Sequence, residues 1–183
     1  MGYAGGTALH PSYRRMGDHS ESIQVDFDPE KTSYERLLAE FWAAHDASYP
    51  ASSRQYRSAI LYHNEEQRRT ALASKKAQER RRKKVMQTEI VPLDVFTLAE
   101  AYHQKYRLQN SEDLLQEYRV IYPSFTDFMN STAVARVNGY LDGYGTAENL
   151  RKELPALGLS PEAGKKLLRI VSSKRAKPRS CPL

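Results

Sequence analysis

Residues 22–46 read SIQVDFDPEKTSYERLLAEFWAAHD, and the fold reading turns on this stretch. Ile23, Val25 and Phe27 alternate with polar residues up to Asp28-Pro29, the pattern of a half-buried strand over 22–28 that runs into a turn. Thr32 and Glu35 form a Thr-x-x-Glu capping box. Behind it Tyr34, Leu37, Leu38, Phe41, Trp42 and His45 recur as one apolar stripe, which predicts a helix ending near Asp46 with Phe41 and Trp42 in the core. Outward from there, residues 47–54 are rich in Ser and contain Pro50, a loop, and residues 56–62 (YRSAILY) read as a more buried strand. Asn64 with Gln67 resembles a second capping pair, opening a basic helix to about Lys84. Residues 87–93, with Ile90 and Val91, then close a β-α-β-α-β alternation.

Past residue 95 the strand pattern fades and helices are predicted over 98–108, 111–119 and 126–141, closed by Gly143 and Gly145. Ser160 before Pro161 and Glu162 marks one more helix start. From Ser172 the chain is a polar tail with too little apolar surface to order itself, which would leave Cys181 on a mobile stretch. The division read from these patterns is a first domain over 1–108, a helical extension packed on it over 109–171, and a disordered basic tail over 172–183.

The chain has 183 residues, 28 Lys plus Arg against 22 Asp plus Glu, and 40% apolar residues, enough for a real core. No apolar run reaches the length of a membrane span and the first residues lack the regions of a signal peptide, so a soluble, cytoplasmic chain is expected, with nucleus or mitochondrion left open. One cysteine forms neither an internal disulfide nor a cysteine-based zinc site. His19, His45 and His103 are scattered over different segments without metal-ligand spacing, so no metal site is expected. Residues 64–84 hold nine basic and three acidic side chains, a surplus equal to that of the whole protein. A solvated helix face is the first reading of that stretch, ahead of an RNA or acidic-partner contact. No aromatic lies within it to stack on an unpaired base, so nucleic acid is not the expected partner.

Four further segments belong together: residues 2–7 (GYAGGT), residues 11–13 (PSY) leading into residues 17–21 (GDHSE), residues 55–60 (QYRSAI) and residues 99–106 (AEAYHQKY). In this order, with VDFDP, SYERLL, FW and HD between them, they resemble type A peptide-methionine sulfoxide reductases over residues 2 to about 106. The chain beyond residue 108 does not resemble the family's common glycine-rich, cysteine-bearing tail. The resemblance implies an α+β fold built on a mixed sheet with flanking helices and a ferredoxin-like core, plus a helical C-terminal extension. It also implies a thiol-dependent reductase that returns the S epimer of methionine sulfoxide, free or in proteins, to methionine as repair of oxidative damage. No bound cofactor is called for; thioredoxin or a small thiol would be the reductant. By motif matching Glu21 is the acid that protonates the sulfoxide oxygen, and Tyr13 and Tyr56 are phenols that hydrogen-bond it. Such an acid needs a raised pKa to stay protonated at neutral pH, which apolar surroundings would supply.

In the resembling family the nucleophile lies in a Gly-Cys-Phe-Trp motif ahead of the GYAGG loop, and here Met1 directly precedes that loop. The first strand and helix, and with them the nucleophilic cysteine, are therefore expected to be missing, leaving this stretch inactive alone and its sheet with an unpaired edge. A Gly-Asn-Asp element before QYRS is absent too, since residues 51–54 are ASSR. Cys181, lacking a fixed position against a sulfoxide, is read as a resolving or adventitious thiol rather than a replacement. The alternative function is a non-catalytic binding module using the basic helix 64–84 on RNA or an acidic partner.

Overall fold

In the computed structural model, which describes residues 1–173, the first strand is three residues long yet pairs on both edges. This strand, β1 (Gly2–Ala4), is antiparallel to β2 (Ser20–Ser22) on one side and to β5 (Phe96–Leu98) on the other, with Tyr3 opposite both Glu21 and Thr97. All three of its residues are buried, as a central strand requires. The chain divides into two compact units, Met1–Glu100 and a helical one beginning at Ala101.

The first unit completes itself with helix α1 (Tyr34–Ala44), strand β3 (Ala59–Tyr62), helix α2 (Glu65–Arg82) and strand β4 (Glu89–Pro92). β3 and β4 are parallel neighbours joined through α2, since two adjacent parallel strands need a crossover and α2 supplies it. The fold class is α+β, as expected; its strands form two small sheets, one antiparallel and one parallel, in place of one continuous mixed sheet. Leu38 and Trp42 of α1 pack with Ile60, Ala71 and Met86 into the core between them, and the indole N–H of Trp42 donates to Ser74 Oγ at 3.0 Å.

The capping reading of α2 holds, and that of α1 does not. Asn64 Oδ1 accepts from the Gln67 N–H and the Gln67 side chain accepts from the His63 N–H, each at 2.9 Å. The cap of α1 is Ser33 rather than Thr32, its Oγ accepting from Arg36 N.

The expected strand over 22–28 does not form beyond Ser22, and Ile23 and Val25 are exposed. The ladder with β1 takes up Ser20–Ser22, with Ser22 opposite Gly2, and the alternation beyond it is not paired among the described residues. β5 has no signature in the sequence, because three residues carry no periodicity and only pairing with β1 defines them.

A single guanidinium joins the two small sheets. Arg57 donates from Nε to Ser20 Oγ at 2.8 Å, from Nη2 to the Gly5 carbonyl at 2.7 Å and from Nη1 to Glu89 Oε2 at 2.7 Å. Its side chain is only 9% exposed. Gly5, with φ +73°, lets the backbone present its carbonyl to that group. At Gly6 a Cβ would meet the Asp18 side chain at 2.6 Å, which accounts for the second glycine of GYAGG. Asp18 in turn accepts from the Thr7 and Ala8 N–H groups at 2.8–2.9 Å and from Thr7 Oγ1 at 3.0 Å. These donors, Ala8 and Thr7 first, hold its carboxyl well below the usual carboxylate range.

The second unit contains α3 (Tyr106–Gln109), α4 (Glu112–Ile121), α5 (Phe125–Asn130), α6 (Thr132–Leu141), α7 (Ala147–Glu153) and α8 (Pro161–Ser173). Its core gathers Leu108, Leu114, Tyr118, Val134, Val137, Leu150 and Leu167, all without exposed surface. The helix predicted over 98–108 is instead the end of β5, a 3-10 turn at Ala101–His103 and then α3, interrupted by the left-handed Lys105. The helix predicted over 126–141 is split at Ser131, which ends α5 and caps α6 by accepting from Val134 N at 3.2 Å. Serine competes with helix through such side-chain bonds, so it serves better between helices than within one. Gly143 and Gly145, at φ +91° and +87°, close α6 as read from sequence. Residues 174–183, including Cys181 and the basic tail, lie outside the described residues.

Two outcomes test this scheme. Replacing Arg57 by Lys keeps the charge but cannot reproduce three directed bonds, so stability should fall by about 2–4 kcal/mol, measured as a lower urea midpoint of Trp42 fluorescence. Because Asp18 is depressed in the fold, its contribution is present above the unfolded carboxylate value and fades as pH falls. The stability gap between wild type and Asp18→Asn should therefore be widest near neutrality and narrow below about pH 4. Urea midpoints across that range decide it; a gap independent of pH would show that the carboxylate charge is not what holds the loop.

Candidate functional site

Glu21 is the middle residue of β2 and Tyr56 ends the 3-10 turn Arg54–Tyr56 that leads into β3. The turn sets Gln55 between them: its Nε2 donates to Glu21 Oε1 at 2.6 Å and to the Tyr56 hydroxyl at 3.1 Å. Tyr13 lies on the loop between β1 and β2, and its side chain hydrogen-bonds the Tyr56 phenol. The three residues named from sequence are thus brought into one constellation, with Tyr13 43% and Tyr56 58% exposed. Desolvation first, then the Glu21 charge and Tyr13, hold the Tyr56 phenol above its ordinary value, so it remains a protonated donor at neutral pH.

The Tyr13 loop is fixed from below by a carboxylate. Glu100 Oε1 accepts from the Tyr13 N–H at 3.0 Å, and Glu100 Oε2 accepts from the Tyr3 hydroxyl at 2.5 Å. Tyr3 is buried and stands opposite Glu21 in the strand register. The neighbouring turn is held by His19, which is buried, with Nε2 2.8 Å from the Ala8 carbonyl and Nδ1 accepting from Gly6 N at 3.3 Å.

Glu21 and Tyr56 line the edge of a cavity of about 790 Å³. Its wall is largely apolar, from Leu37 and Phe41 of α1, Ile60 and Leu61 of β3, and Phe96 of β5. Phe41, assigned to the core from its helix stripe, is only partly buried and faces this cavity, whereas Trp42 is in the core as expected. Tyr13 is not part of the wall. The second carboxylate oxygen of Glu21, Oε2, accepts no hydrogen bond among the described residues. A carboxyl oxygen and a phenol at the rim of an apolar space can together donate to the oxygen of a polar group whose carbon side lies against the wall.

Sequence reasoning missed Gln55 and Glu100 as parts of the site, although both stand inside segments it quoted. The available signal for Gln55 was its place directly before Tyr56; Glu100 could not be paired with Tyr13 across 87 residues without the fold. Among the described residues no group of three or more His, Cys, Asp and Glu side chains is arranged to hold a metal ion. No helix among them is long and apolar enough to cross a membrane.

Comparison with known proteins bears on this arrangement. Residues 1–135 match the family model described as peptide methionine sulfoxide reductase. The chain is 44% identical over 163 residues to a peptide methionine sulfoxide reductase of Drosophila melanogaster, covering 88% of this chain and 65% of that relative. It is 37% identical over 146 residues to one of Oryza sativa subsp. japonica, covering 76% and 57%, and 40% identical over 121 residues to one of Haloquadratum walsbyi, covering 61% and 70%. The chain thus spans less than two thirds of the length of the first two. The Drosophila match also carries the likeness well past residue 106, where the sequence motifs end, so much of the helical unit is shared with that relative. With the family match running over residues 1–135 and through every segment of the constellation, this chain belongs to the type A peptide methionine sulfoxide reductase family.

Proposed function

We propose that this chain carries the oxygen-binding side of a peptide-methionine (S)-S-oxide reductase site, with Glu21 as the acid and Tyr13 and Tyr56 as phenol donors. The observation that carries this reading is the bridge from Glu21 through Gln55 to Tyr56 at the rim of an apolar cavity. The sulfoxide is a strongly polar S–O group on an otherwise apolar thioether. Its oxygen lies toward Glu21 and the Tyr56 phenol, and its carbon atoms lie against Leu37, Phe41 and Phe96.

In the reaction a thiolate attacks the sulfoxide sulfur, Glu21 gives its proton to the oxygen, and the methionine thioether leaves as the oxygen passes to the attacking sulfur as a sulfenic acid. A second thiol condenses with the sulfenic acid, releasing water and forming a disulfide, which thioredoxin or a small dithiol reduces. Two thiol electrons thus reduce one sulfoxide. The single cysteine of the 183 residues, Cys181, lies outside the described residues, so the attacking thiol is assigned to a segment or molecule beyond them.

The chain alone, supplied with methionine sulfoxide and dithiothreitol, should turn over no faster than a thiol blank. Cys181→Ser identifies the tail thiol as the source if turnover is nevertheless seen. Joined to an N-terminal segment bearing Gly-Cys-Phe-Trp, the protein should gain reductase activity selective for the S epimer. There Glu21→Gln should lower kcat by about a hundredfold or more while KM moves little, because the acid acts as charge develops on oxygen. Tyr13→Phe and Tyr56→Phe should each cost less. A folded, extended protein indifferent to Glu21→Gln would remove Glu21 from the acid role.

A second measurement needs no turnover. Glu21→Gln deletes a charge that favours the neutral phenol, so the Tyr56 pKa, followed by ring-carbon NMR of labelled tyrosine, should move down toward its ordinary value. An unmoved Tyr56 titration would mean that Glu21 and Tyr56 do not share one site.

A further inference from the structure

Helix α2 and its C-terminal flank carry nine cations between residues 68 and 84, and the structure separates them into two sets. Five serve the fold. Arg68 pairs with Glu65 at 2.7 Å, Lys75 donates to the Thr88 carbonyl at 2.8 Å, and Arg81 donates to Gln78 at 3.0 Å. Arg82 donates to the Trp42 carbonyl at 2.8 Å and stands 3.7 Å from Asp46, and Lys84 lies 5.3 Å over the ring of Tyr49.

The other four, Arg69, Lys76, Arg80 and Lys83, are all exposed and make no ion pair or hydrogen bond with any described side chain. At 100° and 1.5 Å per residue the three within the helix, Arg69, Lys76 and Arg80, fall within about 40° of one another over about 17 Å of helix axis, and Lys83 follows at the left-handed C-cap. Arg69, Lys76 and Arg80 form one straight cationic stripe on the solvent side of α2, with Lys83 just past its end. Its opposite side is pinned to the core by Ala71 and Gln78.

Complementing the helix dipole accounts for cations in the last turn, at Arg80 and Lys83. It does not account for Arg69, one turn inside the positive end of the helix, or for Lys76 at its middle. A single unpartnered cation on a helix would be ordinary, but the three within α2 fall on one line.

We infer that this stripe is a docking surface for the phosphate backbone of double-stranded nucleic acid. The match is one of charge: a duplex presents an anion about every 1.7 Å of its axis, so a rigid row of cations about 17 Å long meets several phosphates wherever it lands. The residues exposed between the cations, Ala73 and Ala77, are small and let the row approach closely. The lack of an aromatic along α2, which speaks against stacking on single strands, leaves duplex phosphates untouched. A membrane surface fits less well, because the larger apolar side chains an interfacial helix inserts are missing from this side. Contact of the row with phosphates alone carries no sequence preference. The inference is independent of the reductase reading, since neither Glu21, Tyr13 nor Tyr56 takes part.

The test is fluorescence anisotropy of a labelled mixed-sequence DNA duplex of about twenty base pairs, titrated with the full chain over a range of salt. Four neutralised phosphates predict a slope of log K against log salt near −3 to −4. Replacing Arg69, Lys76, Arg80 and Lys83 together by Gln, a good helix former, should remove most of that slope and at least about tenfold in affinity at low salt. Replacing the tail cations Lys174, Arg175, Lys177 and Arg179 by Gln should leave the slope largely in place. Far-UV circular dichroism confirms that the stripe variant is folded; should it not be, Arg69→Gln and Lys76→Gln singly should each reduce the slope by about one. No duplex binding at low salt overturns the inference. So does a folded stripe variant with the wild-type slope, loss of binding with the tail variant instead, or tighter binding of poly-glutamate or phosphatidylserine vesicles than of the duplex.

Discussion

The Arg57 guanidinium is the interaction on which the first unit depends. The antiparallel sheet around β1 and the parallel pair β3–β4 share no backbone ladder, and neither sheet is large enough to stand alone in water. Arg57 takes the Gly5 carbonyl and Ser20 hydroxyl from one and the Glu89 carboxylate from the other. A planar fork with five donors can meet three acceptors in different directions at once, and a single ammonium cannot hold the same geometry. Because its side chain is nearly buried, each of these acceptors also relieves a desolvation cost that would otherwise fall on the cation.

The same four consecutive residues connect the site to this joint. Gln55 and Tyr56 reach Glu21 and Tyr13, Arg57 reaches the two sheets, and Ser58 Oγ lies 2.8 Å from both His45 Nε2 and Thr88 Oγ1. A 3-10 turn opening into a strand makes this dispersion feasible, since its residues do not repeat on one face as they would in a longer helix. Positioning of Glu21 and Tyr56 is therefore inherited from the sheet joint rather than from a loose loop. Glu100 does the equivalent on the other side, holding the Tyr13 backbone against the Tyr3 hydroxyl.

How much could be read from sequence depends on how local each decision is. The caps of α1 and α2 are settled by side chains within four residues of the groups they satisfy, so the helices were legible to within a residue or two. The strand expected over 22–28 has the right alternation, yet alternation specifies only which face is apolar and not whether a partner backbone lies alongside. For the same reason β5 was invisible until β1 lay beside it. Glu21, Tyr13 and Tyr56 could be singled out because their motifs resemble a family, and the fold brings them close together. Glu100 was not, because its tie to Tyr13 is created by the return of the chain from β5. Phe41 packs against the core as its stripe implies but also lines the cavity, because helix periodicity reports an inward-facing stripe without telling whether protein or open cavity lies opposite.

Helix α2 divides its residues between the fold and the solvent. Its N-terminus is secured by Asn64 and Gln67, acidic Glu65 and Glu66 stand in its first turn, and Arg80, Arg81 and Arg82 stand in its last, so its two ends complement the dipole. Ala71 and Gln78 are buried, eight more of its 18 residues are partly buried and eight are exposed. At the exposed positions charge accumulates at small cost to stability while the caps and straight-chain side chains keep the helix formed. Five cations of the helix and its flank were nevertheless drawn into bonds with the chain, wherever a carbonyl, carboxylate or ring came within reach. The four left over, Arg69, Lys76, Arg80 and Lys83, are all exposed, on the side of the helix and its flank that the packing leaves to solvent.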